Sequence, residues 1–260
     1  MKRTFEWIGG FALIAFSFYF TDQVSLLVAN KSELMGEIKA VSANYKEDAI
    51  DAVVDESKNT IVPGKYGREV NDRESYLAMH DFGAFNENYL VYMPIKPNNS
   101  LEDNKDKYIT RGNEVNREVS LVIDVNSTIE NYLEGLGIDY DVIAYQKDDL
   151  KSDKPEYING ASSKDDFKSI NSKVPANGHI CIVGYSEMTS CLKYHYYIIK
   201  HEIYLRANNI ASVKSDITSG SIILITENAR LEHVKILLDE IKYKDLKIVK
   251  VSALISEKGV

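Results

Sequence analysis

The stretch EVSLVIDVNSTIENYLEGLGIDYDVIAY, residues 118–145, decides the fold class of this chain. Its first part, VSLVI at 119–123, is a continuous apolar run, as expected for a strand that is buried on both faces. Ser127 and Glu130 have the spacing of a capping box, so a helix is predicted to begin there. VIAY at 142–145 predicts a second strand. A strand, a helix and a strand in close succession predict a parallel β-α-β unit.

The same alternation continues toward the C-terminus. An amphipathic helix is predicted over residues 231–241, where Leu231, Val234 and Leu238 recur at helical spacing. Residues 146–178 are polar and are predicted to be irregular. Strands are predicted at 179–184, 194–204, 221–226 and 246–254. Strands that alternate with helices predict an α/β domain with parallel pairing.

Two stretches resemble polysaccharide deacetylases of the carbohydrate esterase type. Residues 112–145 are similar to the opening of that family, where a strand that ends in an Asp-Asp-Gly motif precedes a helix and a second strand. Residues 219–255 are similar to its closing strand, helix and strand. The resemblance implies a shortened, distorted (β/α) barrel over residues 111–260.

The resemblance also implies which residues carry the chemistry. The family removes acetyl groups from glycans with a divalent metal: the first aspartate of its motif acts as base, the second binds the metal, and a His-x-x-x-His pair completes the ligands. Here Asp124 stands at the base position, but Val125 replaces the metal-binding aspartate and Asn126 replaces the glycine. Valine offers no lone pair to a cation. None of the five histidines lies four residues from another. The expected cofactor is therefore none.

Three hypotheses for function follow. The preferred one is a cell-envelope protein with a degenerate, inactive deacetylase-like domain that binds glycan or another envelope protein. The alternative is an active carbohydrate deacetylase or esterase with a rearranged site, built from Asp124, Glu227 and a histidine. Glu227 is a candidate because Thr226-Glu227 stands where the family has His-Asp. A third hypothesis is a structural tether, in which a helix over residues 31–57 pairs with a partner. For Asp124, a role in capping the next helix is the alternative to catalysis.

Tyrosines and cysteines supply further candidates. Tyr194 and Tyr196 are candidate ligand-binding residues, because a tyrosine ring can stack on a sugar. In a regular strand they would share one face, and the alternative is a strand that is simply half buried. Cys181 and Cys191 either form a disulfide, as extracytoplasmic proteins allow, or are two small buried side chains. No Cys-x-x-Cys pair supports a zinc site.

An apolar segment opens the chain. WIGGFALIAFSFYF, residues 7–20, carries no charge, and apolar character resumes in VSLLVA, residues 24–29. Residues 1–29 are therefore predicted to form a transmembrane anchor. Lys2 and Arg3 would keep the N-terminus in the cytoplasm and place the C-terminal domain outside it. This predicts a single-pass protein of the cell membrane; a cleaved signal peptide is the alternative.

Residues 30–110 are predicted to be a stalk helix followed by a small α/β lead-in. Leu34, Ile38, Val41 and Tyr45 form the apolar stripe of the stalk helix, which is predicted over 31–57. The domains are therefore 1–29, 30–110 and 111–260. The formal net charge of −8 argues against a nucleic-acid partner, because such a surface needs clustered lysine and arginine.

Overall fold

The computed structural model describes part of the 260-residue chain, namely residues 16, 17, 19, 27, 29–150, 155–174 and 179–258. Two compact units are present: unit 1 comprises Met1–Ala49 and Gly67–Ile95, and unit 2 comprises Ile50–Tyr66 and Lys96–Val260. The predicted lead-in segment, residues 30–110, is thus shared between both units.

The elements of the described residues are as follows. The strands are β1 (Val53–Asp55), β2 (Thr60–Val62), β3 (Gly67–Val70), β4 (Tyr92–Ile95), β5 (Tyr108–Ile109), β6 (Glu118–Ile123), β7 (Asp141–Ala144), β8 (Glu156–Asn159), β9 (Ile180–Ile182), β10 (Tyr197–Ile199), β11 (Ile203–Leu205), β12 (Ile222–Ile225) and β13 (Lys247–Ile248). The α-helices are α1 (Glu33–Ser42), α2 (Asp72–His80), α3 (Ser127–Gly135), α4 (Lys164–Asn171), α5 (Met188–Lys193), α6 (Ile210–Asp216), α7 (Leu231–Tyr243) and α8 (Val251–Leu254).

Unit 1 contains α1, α2 and the antiparallel pair β3–β4. Asn71 caps the start of α2, because its side chain accepts a hydrogen bond from the backbone N–H of Glu74 at 3.1 Å. A small core of Leu34, Ile38, Val70, Met79 and Leu90 holds these elements together.

Unit 2 is built on one curled sheet. Its strand order is β1-β2-β5-β10-β9-β8-β7-β6-β12-β11, and β13 pairs with β6. Only the β1–β2 pair among these is antiparallel, and the pairs from β2 to β11 are parallel. The predicted α/β class with parallel pairing is therefore confirmed.

Both faces of this sheet are buried. On β6, Val122 packs into one core cluster, whereas Leu121 and Ile123 pack into another that includes Leu133 of α3 and Leu237 of α7. Successive side chains of a strand point to opposite faces. The run VSLVI has no solvent-facing side, and its one polar member, Ser120, is buried with its hydroxyl donating to the backbone oxygen of Val249 at 2.7 Å.

Several local predictions fail. The stalk helix predicted over 31–57 ends at Ser42, and Ile50 instead exchanges backbone hydrogen bonds of 2.8 Å with Lys65. The excursion at 146–178 contains β8 and α4. The strand predicted at 194–204 is interrupted, because β10 and β11 are separate strands. Residues 246–254 form β13 and then α8.

The structure contradicts the predicted membrane localisation, which depends on an anchor over residues 1–29. Among the described residues, no helix has both the length and the apolar character needed to cross a bilayer. Most of the segment lies outside the described residues. Its uncharged run, 7–20, is shorter than the roughly 20 residues of a spanning helix. This finding contradicts the predicted single-pass topology and membrane localisation.

Candidate functional site

The carboxyl ends of neighbouring strands in unit 2 bring polar side chains together. Asp124 directly follows β6, and Tyr145 directly follows β7. Tyr185 lies just beyond β9, and His201 lies just beyond β10. In (β/α) barrels the functional residues lie at this edge of the sheet. The four side chains therefore define the candidate site.

Asp124 is the centre of this site, and two tyrosines donate hydrogen bonds to it. The Tyr145 hydroxyl lies 2.6 Å from Asp124 Oδ1, and the Tyr185 hydroxyl lies 3.5 Å from Asp124 Oδ2. Burial, with the nearby Asp124 charge, raises the pKa of both tyrosines above the ordinary value of 10.0. Both hydroxyls consequently stay protonated at neutral pH and act as donors.

The turn after Asp124 is strained and well anchored. Val125 has a φ of +32°, a conformation that disfavours β-branched residues. Asn126 caps α3, since its Oδ1 accepts a hydrogen bond of 3.2 Å from the backbone N–H of Ile129. The cap is therefore one residue earlier than the sequence predicts. The Asn126 side-chain amide also donates to the backbone oxygen of Glu227 at 3.1 Å, so it ties the loop after β6 to the loop after β12.

Glu227, a predicted ligand-binding residue, is exposed on the loop after β12. Its charge contributes to the raised pKa of Tyr145, although burial is the main cause. The carboxylate of Glu227 is therefore close enough to act electrostatically on the Asp124–Tyr145 pair.

His201 lies behind this cluster. It is 5% exposed, and its ring meets the Tyr204 ring edge-on with centroids 4.3 Å apart. Neither ring nitrogen has a hydrogen-bond partner among the described residues. Burial lowers the pKa of His201 to about 4, so the imidazole is neutral at pH 7. Arg206 lies over the same Tyr204 ring at 4.9 Å.

Proteins of known structure share the fold of this chain. No protein-family profile matches the sequence. A family 4 carbohydrate esterase (CE4) pseudoenzyme from Bacillus anthracis, BA3943, has a similar structure, with a TM-score of 0.60 and 18% identity over 88% of this chain and 97% of that chain. The chain has a CE4 polysaccharide deacetylase fold. A BA3943 mutant with restored enzymatic activity is similar too, with a TM-score of 0.59 and 18% identity over 87% of this chain and 99% of that one. The resemblance inferred from residues 112–145 and 219–255 is thus confirmed for the fold.

A curated relative matches a shorter region. It is the uncharacterized protein YlxY of Bacillus subtilis, which is 32% identical over 99 residues, or 38% of this chain. That match spans only 31% of the length of YlxY.

The residues of this CE4 fold do not fit the divalent metal that the family uses. Among the described residues, no three histidine, cysteine, aspartate or glutamate side chains lie close enough to hold a metal ion. Asp124 is followed by Val125, and its nearest polar neighbours are tyrosine hydroxyls. The protonated hydroxyls of Tyr145 and Tyr185 donate to Asp124, so in this arrangement they are not metal ligands.

Tyr194 and Tyr196, the tyrosines predicted to bind a ligand, lie elsewhere. Tyr194 follows α5 and stacks on Phe167 with ring centroids 5.6 Å apart. Tyr196 is 1% exposed and stacks on His179 at 4.5 Å. Their predicted shared strand face does not exist, because Tyr194 precedes β10 and His195 has a φ of +56°.

The same core cluster holds the two cysteines. Cys181 in β9 and Cys191 in α5 form a disulfide, and both are fully buried. The bond lies beside Phe167 and Tyr196 in one apolar cluster, and it fastens α5 to the sheet.

Sequence reasoning identified Asp124 but missed the side chains around it. Tyr145 ends the predicted strand 142–145 and Tyr185 directly follows the predicted strand 179–184, so the rule that functional residues lie at the carboxyl ends of barrel strands would have selected both. His201 lies inside the predicted strand 194–204 and carries no such signal, because the end of β10 at Ile199 was not predicted.

Proposed function

We propose that unit 2 is a glycan-binding domain that binds N-acetylated sugars without hydrolysing them. One observation carries the proposal: both carboxylate oxygens of Asp124 accept hydrogen bonds from tyrosines. Unit 2 thus keeps the carboxylate of the CE4 fold in a changed setting.

The setting of Asp124 favours binding over catalysis. A general base must be free to take a proton from the reacting group. Here the Tyr145 hydroxyl occupies Asp124 Oδ1 at 2.6 Å, and the raised pKa of Tyr145 keeps that proton on the tyrosine. Val125 offers no ligand for the metal that would activate a water. The similarity to a CE4 pseudoenzyme supports the same conclusion.

The surroundings of Asp124 suit a sugar. Tyrosine rings present an apolar face and a polar edge, which together match a pyranose. Tyr185 and Tyr204 provide such rings beside the carboxylate, and Tyr185 Oη lies 3.5 Å from Asp124 Oδ2. Exposed Arg206 over Tyr204 adds a donor at the rim. A carboxylate, aromatic rings and an arginine are the groups that recognise hydroxyls and ring faces.

The test uses the full chain and chitopentaose, an oligomer of N-acetylglucosamine, in a calorimetric titration. Wild type is expected to bind, and Asp124→Asn is expected to bind about tenfold more weakly, because hydrogen bonds to a charged group contribute about 1.5–3 kcal/mol. The matched control is Asp239→Asn, an exposed position on α7, which should leave affinity unchanged.

The same preparations distinguish binding from the alternative of an active deacetylase. Bound zinc and the release of acetate from chitopentaose are measured for wild type and Asp124→Asn. Turnover that depends on stoichiometric zinc and disappears in Asp124→Asn would refute the proposal and establish the rearranged active site. Absence of any saccharide binding by wild type would refute it as well.

A further inference from the structure

The two tyrosines on Asp124 are held unequally. Tyr145 donates at 2.6 Å to Oδ1, whereas Tyr185 donates at 3.5 Å to Oδ2, a length at which a hydroxyl hydrogen bond is weak. Gly184, just before Tyr185, has a φ of +90°, and a Cβ built on it would meet no atom within 4 Å. Tyr185 is therefore the weakly held member of the pair, and it follows a backbone position with free space around it.

Tyr185 also covers a buried group without partners. Its ring lies 6.4 Å from the His201 ring, and Tyr204 packs on His201 at 4.3 Å. Both His201 nitrogens are buried and lack a hydrogen-bond partner among the described residues. Buried polar atoms without partners are costly and rare in folded proteins, so the pair of unsatisfied nitrogens calls for a partner that arrives from outside.

We infer that Tyr185 is a gate: when an N-acetylated sugar enters, Tyr185 turns aside, Asp124 Oδ2 accepts a sugar hydroxyl, and His201 hydrogen-bonds the acetamido group. The inference rests on the function proposed above and adds the residue that recognises the acetyl substituent. One movement of Tyr185 serves both contacts, because its hydroxyl donates to Asp124 Oδ2 and its ring is a direct neighbour of the His201 ring.

The chemistry of the imidazole matches an acetamido group. A neutral imidazole has one N–H donor and one nitrogen acceptor, and an acetamido group has one carbonyl acceptor and one N–H donor. His201 stays neutral at pH 7 because it is buried. The acetamido carbonyl oxygen lies three bonds from the sugar carbon, so it can reach the recessed His201 ring, which is 5% exposed. A plain hydroxyl at the same carbon is too short to reach it, so His201 should discriminate between acetylated and unsubstituted sugars.

The experiment compares chitopentaose with cellopentaose, the corresponding oligomer of glucose, on the full chain. Wild type is expected to prefer chitopentaose by about tenfold, which corresponds to about 1.4 kcal/mol. His201→Phe, which keeps a ring of similar shape, should bind both saccharides with the affinity that wild type has for cellopentaose. Tyr185→Phe removes the hydroxyl that competes for Asp124, so it should raise affinity for both saccharides by about threefold. Tyr243→Phe, at a position that is 85% exposed, should change neither.

Different outcomes would refute the proposed function, the role of His201 or the role of Tyr185. If wild type binds neither saccharide, the proposed function fails and the inference fails with it. If wild type binds but His201→Phe keeps the preference for chitopentaose, only the role of His201 is refuted. A loss of affinity in Tyr185→Phe would show that this hydroxyl contacts the ligand and is no gate. Nitrogen NMR of the wild-type imidazole tests the contact without a variant: the His201 signals should shift with chitopentaose and stay in place with cellopentaose, and no shift with either would refute the contact.

Discussion

The Cys181–Cys191 disulfide should contribute a measurable part of the stability of unit 2. The two cysteines are 10 residues apart in sequence. Loop-closure entropy for a loop of that size is about 9 cal/mol/K, or about 2.7 kcal/mol at 25 °C. Replacing either cysteine with alanine should cost this amount plus the packing of its sulfur, because both side chains are fully buried. Replacing both should cost the loop entropy only once.

A double-mutant cycle measures that difference directly. Urea unfolding of wild type, Cys181→Ala, Cys191→Ala and the double variant is followed by circular dichroism. The sum of the two single losses should exceed the loss in the double variant by about 2.7 kcal/mol, since the packing of each sulfur cancels in the cycle. The control is Val213→Ala combined with Cys191→Ala: Val213 is buried in a different core cluster, so its loss should simply add. Additive losses for the two cysteines would refute a bonded pair and indicate two independent apolar side chains.

Three further predictions concern stability. Burial, with the neighbouring Glu156 charge, raises the pKa of Asp141 well above 3.8; the wild type therefore loses stability as pH rises through that raised value. Asp141→Asn should gain in melting temperature relative to wild type as pH rises above 3.8, and a difference that is constant with pH would contradict this. Val125→Asn should raise the free energy of unfolding by about 1 kcal/mol, because asparagine tolerates a positive φ better than valine; a destabilised variant in thermal unfolding would disprove the strain. Gly220→Ala should lose about 2 kcal/mol or more, since its φ is +86° and a Cβ would lie 2.4 Å from the backbone oxygen of Gly112; unfolding at the wild-type midpoint would refute this clash.

The part of the fold that the sequence predicts is the part with strong local signals. The β6-α3-β7 unit combines a continuous apolar run with a helix cap, and Asn126 supplies that cap one residue before the predicted position. The strand β8 and helix α4 were not predicted, because their flanking residues are polar. In addition, only two of the four residues of β8 are buried. The start of β10 at Tyr197, rather than at residue 194, was missed because His195 adopts a positive φ, which propensity does not predict for histidine.

For the candidate site, too, the sequence predicts only what depends on local signals. Asp124 is predicted from a local motif at the end of one strand, which resembles the Asp-Asp-Gly motif of the family. The partners of Asp124 depend on strand order: β7 neighbours β6 in the sheet, whereas β9 lies two strands further along. Tyr185 is 61 residues from Asp124 in sequence, and no local pattern indicates that contact. Tyr194 and Tyr196 are candidates because tyrosine rings stack on sugars, but Tyr196 is part of the core.

Unit 2 is formed from two separate segments of the chain, and this limits which truncated forms of the protein can be used. Residues 50–66 and 96–110 supply β1, β2 and β5, which form one edge of the sheet next to β10. A fragment that begins at residue 111 would leave the backbone N–H and C=O groups of β10 without their β5 partners. An unprotected edge strand promotes self-association. Fragments that lack β1, β2 and β5 are thus expected to aggregate, so binding should be studied on the intact chain.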